Sequence, residues 1–150
     1  MVERILVPTD GSETARKAAR YAYDLAALTK GEVVLLAVID RTVFIGRPSV
    51  PASLTPSHIV EPLEDFLTQA AEMEMKEIEK LGDRKGVATK MLLRYGHPVE
   101  EIVRAAEKSK ADLIVMGSHG KSALSAALLG SVTLGVINRD TKVPVLIVRR

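Results

Sequence analysis

Leu113-Ile114-Val115-Met116-Gly117-Ser118-His119-Gly120 is an apolar run that breaks off into glycine, and after nine further residues the chain reaches Gly130-Ser131. A short run without polar interruption suits a strand covered on both faces, because a strand between two helix layers has no wet side to mark. Glycines directly beyond such a strand let main-chain N–H groups approach a phosphate, and a second glycine opening a helix adds unpaired amides and a favourable dipole. The stretch therefore predicts an α/β fold with a nucleotide held at its strand tips.

Outward from this stretch, short apolar runs alternate with longer segments of helical period, the pattern of βαβ units in a parallel sheet. Five strands are predicted: Arg4 to Val7, stopped by Pro8; Val33 to Ile39, closed by Asp40; about Val87 to Arg94; Leu113 to Met116; and Val145 to Val148. In the third, Lys90 and Arg94 alternate with apolar neighbours, which suits a sheet edge. Ala15, Ala18, Ala19, Ala22, Leu25 and Ala26 recur at helical spacing after the first strand, a face small enough to lie close to the sheet. Asp10 with Glu13 offers that helix a cap and a negative first turn, and Gly31 ends it. A long helix is predicted from about Glu61 to Leu81, with Leu63, Leu67, Ala71, Met75 and Ile78 on one face. Pro98 fits the first position of a third helix with Val99, Ile102, Val103 and Ala106 buried, and a fourth runs from Gly130 to Arg139. The Pro- and Ser-rich stretch 41–58 has no sustained period and reads as a solvated loop or a lid insert.

With 150 residues, 47% hydrophobic and 27% charged, the chain is that of a folded globular protein, long enough for one domain (1–150) and short for two. Lysine and arginine number 21 against 19 acids, a formal charge of +2, and they are scattered along the chain, so nucleic acid is not expected as a partner. The absence of cysteine rules out disulfides, thiolate metal sites and a cysteine nucleophile. The N-terminus carries an acid and enters a strand rather than a signal peptide, and the uncharged residues between Ser122 and Asn138 are too few to span a bilayer. A cytoplasmic protein is expected.

In an open α/β sheet, ligands sit beyond the carboxyl ends of the strands where the strand order reverses. Pro8-Thr9-Asp10, Val38 to Asp40 and Met116 to Gly120 are such ends, and they converge if the first and fourth strands are central neighbours. Asp10 could accept from ribose hydroxyls or a base amine, and the Val38 main chain could pair with a base edge; Asp10 fits a helix cap equally well. Gly120-Lys121-Ser122 resembles the end of a Walker A loop, but the earlier glycine of that motif would fall on Val115. A dinucleotide Gly-x-Gly-x-x-Gly after the first strand is also missing. Lys121 could approach a phosphate or stand solvated. His58, His97 and His119 lie in separate predicted loops without metal-ligand spacing and read as turn residues, with ligand contact as a positioning group the alternative for His119 inside the glycine loop. Ser118, Ser122 and Ser131 can donate to phosphate oxygens, yet none stands in Gly-x-Ser-x-Gly and none has a visible base partner. Binding is better supported than turnover.

Over its whole length the chain resembles the universal stress proteins. The resemblance rests on Val7-Pro8-Thr9-Asp10-Gly11-Ser12-Glu13, Leu35 to Asp40, Gly96-His97-Pro98, Asp112 to Gly120, Gly130-Ser131-Val132 and Val143 to Val148. It implies a doubly wound, Rossmann-like open sheet of five parallel strands in the order 3-2-1-4-5. It also implies the ATP-binding branch of that family, whose Gly-x2-Gly-x9-Gly-Ser motif is complete here at Gly117, Gly120, Gly130 and Ser131. Carried over, Asp10 and the Val38 main chain would hold adenine and ribose, Gly117 would border the ribose, and Gly120, Gly130 and Ser131 would cradle the phosphates of ATP, ADP or AMP, with magnesium bridging them. The family's dimers form through the last strand, here 143–148, whose apolar edge needs a cover. Val132 to Ile137 departs from the family in being uncharged, which offers an apolar face to a partner, and Gly135 weakens that helix by about 1 kcal/mol relative to alanine.

Three functions fit these residues. The first is an ATP-binding regulatory or stress-response protein whose nucleotide controls conformation or assembly for an unidentified regulatory partner. The second is a slow ATPase or self-phosphorylating enzyme, and the third a dimeric interaction module without nucleotide.

Overall fold

The structure is a computed structural model that describes residues 1–40, 57–119, 129–139 and 141–149, with the side chains of the second helix described from Pro62 onward. The chain alternates β1 (Arg4–Pro8), α1 (Glu13–Thr29), β2 (Glu32–Ile39), α2 (Ser57–Lys85), β3 (Thr89–Tyr95), α3 (Pro98–Lys108), β4 (Leu113–Gly117), α4 (Ser131–Ile137) and β5 (Val145–Val148). The strands form one parallel sheet in the order β3-β2-β1-β4-β5. Ile5 stands beside Val33 on one flank and Leu113 on the other, so β1 is the central strand.

The two-residue period of a strand divides the apolar side chains between two cores. Ile5, Val7, Val33, Leu35 and Val115 meet α1 and α2, whereas Leu6, Val34, Leu36, Ile114 and Met116 meet α3 and α4. The small face of α1 behaves as expected: Ala18, Ala19, Ala22 and Ala26 are wholly buried. Tyr23, fully buried on the same helix, places its hydroxyl 2.8 Å from Thr89 Oγ1, and burial pushes the phenol up to about 12, so it stays neutral.

Several boundaries differ from expectation for physical reasons. The second helix starts at Ser57, so Pro62 stands inside it and His58 belongs to a helix rather than to a loop; the rest of the expected insert, 41–56, lies outside the described residues. Val87 precedes β3, its N–H donating to Gly82 O at 2.9 Å to close the helix. Ser12, not Asp10, caps α1: its hydroxyl accepts from Ala15 N–H, while Asp10 accepts from Ser12 N–H at 2.9 Å in the turn before it. Nor is Gly31 the left-handed terminator. Lys30 takes that conformation at φ 58°, and Gly31 lies against Glu3, where an added Cβ would stand 2.5 Å from the carbonyl oxygen. Gly135 costs helix propensity but lets α4 settle on α3, since a Cβ there would meet Val99 Cγ2 at 2.6 Å.

Asp112 joins the starts of the two central strands. Its Oδ2 accepts from the N–H groups of Glu3 and Arg4, each at 2.9 Å, and these bonds hold the carboxyl below the usual carboxylate range. A carboxylate favoured by folding contributes in full above its unfolded pKa, and the contribution is lost as pH falls through the lowered folded value. Asp112→Asn is therefore expected to cost about 1 kcal/mol at neutral pH, the low end for bonds to a charged acceptor because the site is solvated. Urea unfolding from pH 7 to pH 3 checks this: the wild type should lose its advantage over the variant in acid, and a constant difference would assign the effect to packing.

Candidate functional site

Strand order reverses at β1, because the chain moves outward to β2 on one side and later to β4 on the other. Beyond the carboxyl ends of such neighbours the backbone splays apart and leaves a crevice. On the β2 side of this reversal lies a cleft of about 430 Å³, lined by Thr9, Asp10 and Gly11 after β1, by Val38 to Asp40 at the end of β2, and by Leu67, Ala70, Ala71 and Glu74 of α2. Its volume falls within the ~300–1,000 Å³ of small-molecule sites.

The α2 wall was missing from the sequence reading, although part of its signal was present. Leu67 and Ala71 sit on the same apolar stripe as Met75 and Ile78, yet only the last two are buried in the core. The reason is length. A 29-residue helix extends ~43 Å, against ~26 Å for the eight residues of β2, and in a βαβ unit the helix begins above the carboxyl ends of the strands. Its early turns therefore overhang the sheet and wall the cleft. Arg16 of α1 secures that wall: its Nε and Nη2 donate to the two carboxylate oxygens of Glu74 at 2.6 and 2.7 Å. The bond to Glu74 raises the pKa of Arg16 further and keeps the guanidinium charged.

On the other side of β1, main-chain and hydroxyl bonds brace the end of β4. Thr14 Oγ1 donates to His119 O at 2.5 Å, Thr133 Oγ1 to Gly117 O at 2.9 Å, Gly130 N–H to Ser118 O at 2.7 Å, and Ser118 N–H to Val148 O at 3.0 Å. Gly117 and Gly130, distant in sequence, are thus brought to one strand tip beside the cleft. Gly117 is required there by packing, because a Cβ would lie 2.9 Å from the backbone carbon of Thr14.

The expected site residues separate into groups. Thr9, Asp10 and Val38 line the cleft, with Pro8 at the last position of β1. Met116 points into the core beneath α3 and α4, leaving only its main chain at the tip. Ser131 and Val132 open α4, Ser131 exposed and Val132 partly packed. Gly120, Lys121 and Ser122 lie outside the described residues. Ser118 and His119 are buried, and Ser118 does have a partner, its Oγ standing 2.8 Å from His119 Nδ1. In a nucleophile–base–acid arrangement the second imidazole nitrogen is held by an acid. Here His119 Nε2 is the buried side-chain polar atom that lacks a partner, so no acid completes such a triad among the described residues. No group of three or more His, Asp or Glu among the described residues is placed to hold a metal, and no helix there is long and apolar enough to cross a membrane.

Known proteins share this architecture. A family model described as the universal stress protein family matches residues 1–149. Universal stress protein MJ0577 of Methanocaldococcus jannaschii is 40% identical over 157 aligned residues, covering 100% of this chain and 96% of the relative. The solved structure of MJ0577 superposes with a TM-score of 0.86 at 39% identity, covering 100% of this chain and 97% of that one. A universal stress protein solved in complex with cAMP has a TM-score of 0.67 at 26% identity and covers 98% of this chain and 96% of its own.

Proposed function

Because the chain belongs to the universal stress protein family, we propose that it binds an adenine nucleotide and works as a regulatory stress protein whose conformation or assembly the nucleotide controls. The observation that carries the reading is the cleft beside the strand-order reversal, with its apolar walls and the carboxylates in its lining. Asp10, Asp40 and Glu74 line it, and Arg16 of α1 is bonded to Glu74. Carboxylate oxygens in the lining can accept from hydrogen-bond donors, which a nucleoside presents as an exocyclic amine and ribose hydroxyls. Ala37, Leu67, Ala70 and Ala71 supply the apolar surface on which a flat base can lie.

The phosphates then extend toward the braced β4 tip, where the family resemblance assigns them to Gly120, Gly130 and Ser131, with Gly117 beside the ribose. His119 Nε2 in that segment, buried and without a partner among the described residues, supports a polar ligand nearby. The assigned ligand is ATP, and magnesium bridging its phosphates would reduce their mutual repulsion. The reading places a dimer contact at β5, where half-buried Val145, Leu146 and Ile147 lie on an edge strand and Leu134 and Ile137 of α4 are 46% and 42% exposed. At 100 times its dissociation constant, the nucleotide would stabilise the fold by about 2.7 kcal/mol, enough to change which conformation or assembly prevails.

The test is calorimetric titration with ATP and magnesium, together with mass spectrometry of small molecules released on denaturation. Asp10→Ala is expected to weaken binding about tenfold or more while leaving the circular dichroism spectrum unchanged. Wild-type protein that neither releases nor binds an adenine nucleotide would overturn the reading and leave an interaction module.

Arg16 affords a second prediction. Arg16→Ala frees a carboxylate at the cleft and unpins α2, so ATP affinity should fall about threefold to tenfold, and Glu74→Gln added to it should restore part of the loss. If the double variant binds as weakly as Arg16→Ala, loss of the α2 anchor rather than the charge of Glu74 is responsible.

A further inference from the structure

Four cations that are scattered in the sequence share one cleft in the structure. On β3, Lys90, Leu92 and Arg94 stand at alternate positions and therefore on one face, and Leu92 packs into the core that includes α3. On α3, Glu101, Arg104, Ala105 and Lys108 follow helical spacing. The two stripes meet around a cleft of about 190 Å³ with Leu92 and Ala105 as its apolar lining. Arg104 is bonded to Glu101, so four cations face a single carboxylate. β3 is also an edge strand: it pairs with β2 from Thr89 to Tyr95, and among the described residues no strand pairs with its other side. Lys90 and Arg94 are exposed, as is Met91 between them at 37%.

We propose that this edge is a docking surface for an extended acidic peptide, which adds to β3 through its main chain and directs alternate acidic side chains to Lys90, Arg94, Arg104 and Lys108. Strand addition draws affinity from main-chain hydrogen bonds and specificity from the pockets that receive every second side chain. Charges on β3 alone would suffice to blunt an exposed edge. The cations contributed by α3, and the apolar lining between the stripes, exceed that need and match a side chain that is acidic or flanked by acids. A second copy of the chain is a poor occupant, because antiparallel self-pairing about Leu92 sets Lys90 opposite Arg94, like charge to like. Nucleic acid is disfavoured because, among the described residues, no aromatic side chain lines the cleft for a base to stack on.

The experiment is fluorescence anisotropy of the full chain with a labelled nonapeptide of alternating valine and glutamate. The wild type should bind it, and the Lys90→Glu/Arg94→Glu variant and, separately, Lys108→Glu should weaken binding, the first by about tenfold or more, with circular dichroism confirming the fold of each. Of two peptides, one methylated on the backbone nitrogens of its valines and the other on those of its glutamates, at least one should lose binding, and hydrogen exchange of the amides from Lys90 to Arg94 should slow when the unmodified peptide is present. The proposal fails if the wild type does not bind, if both methylated peptides bind as well as their parent, or if polyuridylate displaces the peptide at matched charge. The last result would make the cleft a general polyanion site.

Discussion

Gly117→Ala is expected to lower the unfolding free energy by about 2–3 kcal/mol and to reduce ATP binding below detection in a titration that measures the wild type readily. The added Cβ would stand 2.9 Å from Thr14 C, 3.0 Å from Thr14 Cβ and 3.0 Å from Thr14 O, so what must yield is the first turn of α1 rather than the tip of a flexible side chain. That turn cannot move alone. Thr14 holds the carbonyl of His119 and Ser12 caps the helix from the turn that begins at Asp10, so a retreat of α1 disturbs the β4 tip and the cleft mouth together. Gly135→Ala is the control. Its obstacle is a side-chain carbon of Val99 on α3 rather than backbone, so its crowding falls on the α3–α4 contact away from the β4 tip, and a gain in helix propensity of about 1 kcal/mol offsets part of the cost. Urea unfolding and calorimetry on the two variants check the prediction. Near-native stability in Gly117→Ala would show that α1 moves freely, and lowered stability with intact ATP affinity would separate the brace from the ligand.

Gly31→Asn is expected to destabilise the protein by about 2–3 kcal/mol, while Lys30→Gly stabilises it by about 0.5–1 kcal/mol. A glycine chosen for left-handed backbone tolerates asparagine well; a glycine chosen for close approach does not. Gly31 is of the second kind, because its missing side chain leaves room for Glu3 O, the acceptor of Glu32 N–H at 2.8 Å, the bond that begins the pairing of β1 with β2. Lys30 bears the left-handed strain at φ 58°, and glycine in its place removes that strain at some cost in unfolded-chain entropy. Thermal and urea unfolding of both variants provide the measurement. A mild effect of Gly31→Asn together with a neutral Lys30→Gly would restore Gly31 as the helix terminator.

Much of the fold was legible because its signals are local. Val145 to Val148 matches β5 residue for residue, and the runs at Arg4, Val33 and Leu113 lie within a residue of β1, β2 and β4 at each end. Ends governed by distant partners were less legible: Val87 reads as strand from its side chain, but its N–H belongs to the close of α2. At the cleft, Asp10 and Val38 could be named because Asp10 lies just beyond β1 and Val38 at the carboxyl end of β2. Ser118 was judged to lack a base, although its partner is the next residue, because neighbours in an irregular turn face one another only in the folded backbone.

What the amino-acid sequence determined by itself is the alternation of strand and helix, the division of each strand between two faces, and the glycine-rich turns at the strand ends. These depend on periods of two and about 3.6 residues, which a few neighbouring side chains suffice to express. Only the tertiary structure decided that Arg16 meets Glu74, that Thr14 and Thr133 brace one strand tip from opposite faces, and that Lys90 and Arg94 share a cleft with Arg104 and Lys108. Each of these depends on where a crossover helix comes to rest on the sheet. That position is set by the combined packing of two cores, which no short stretch of the chain contains.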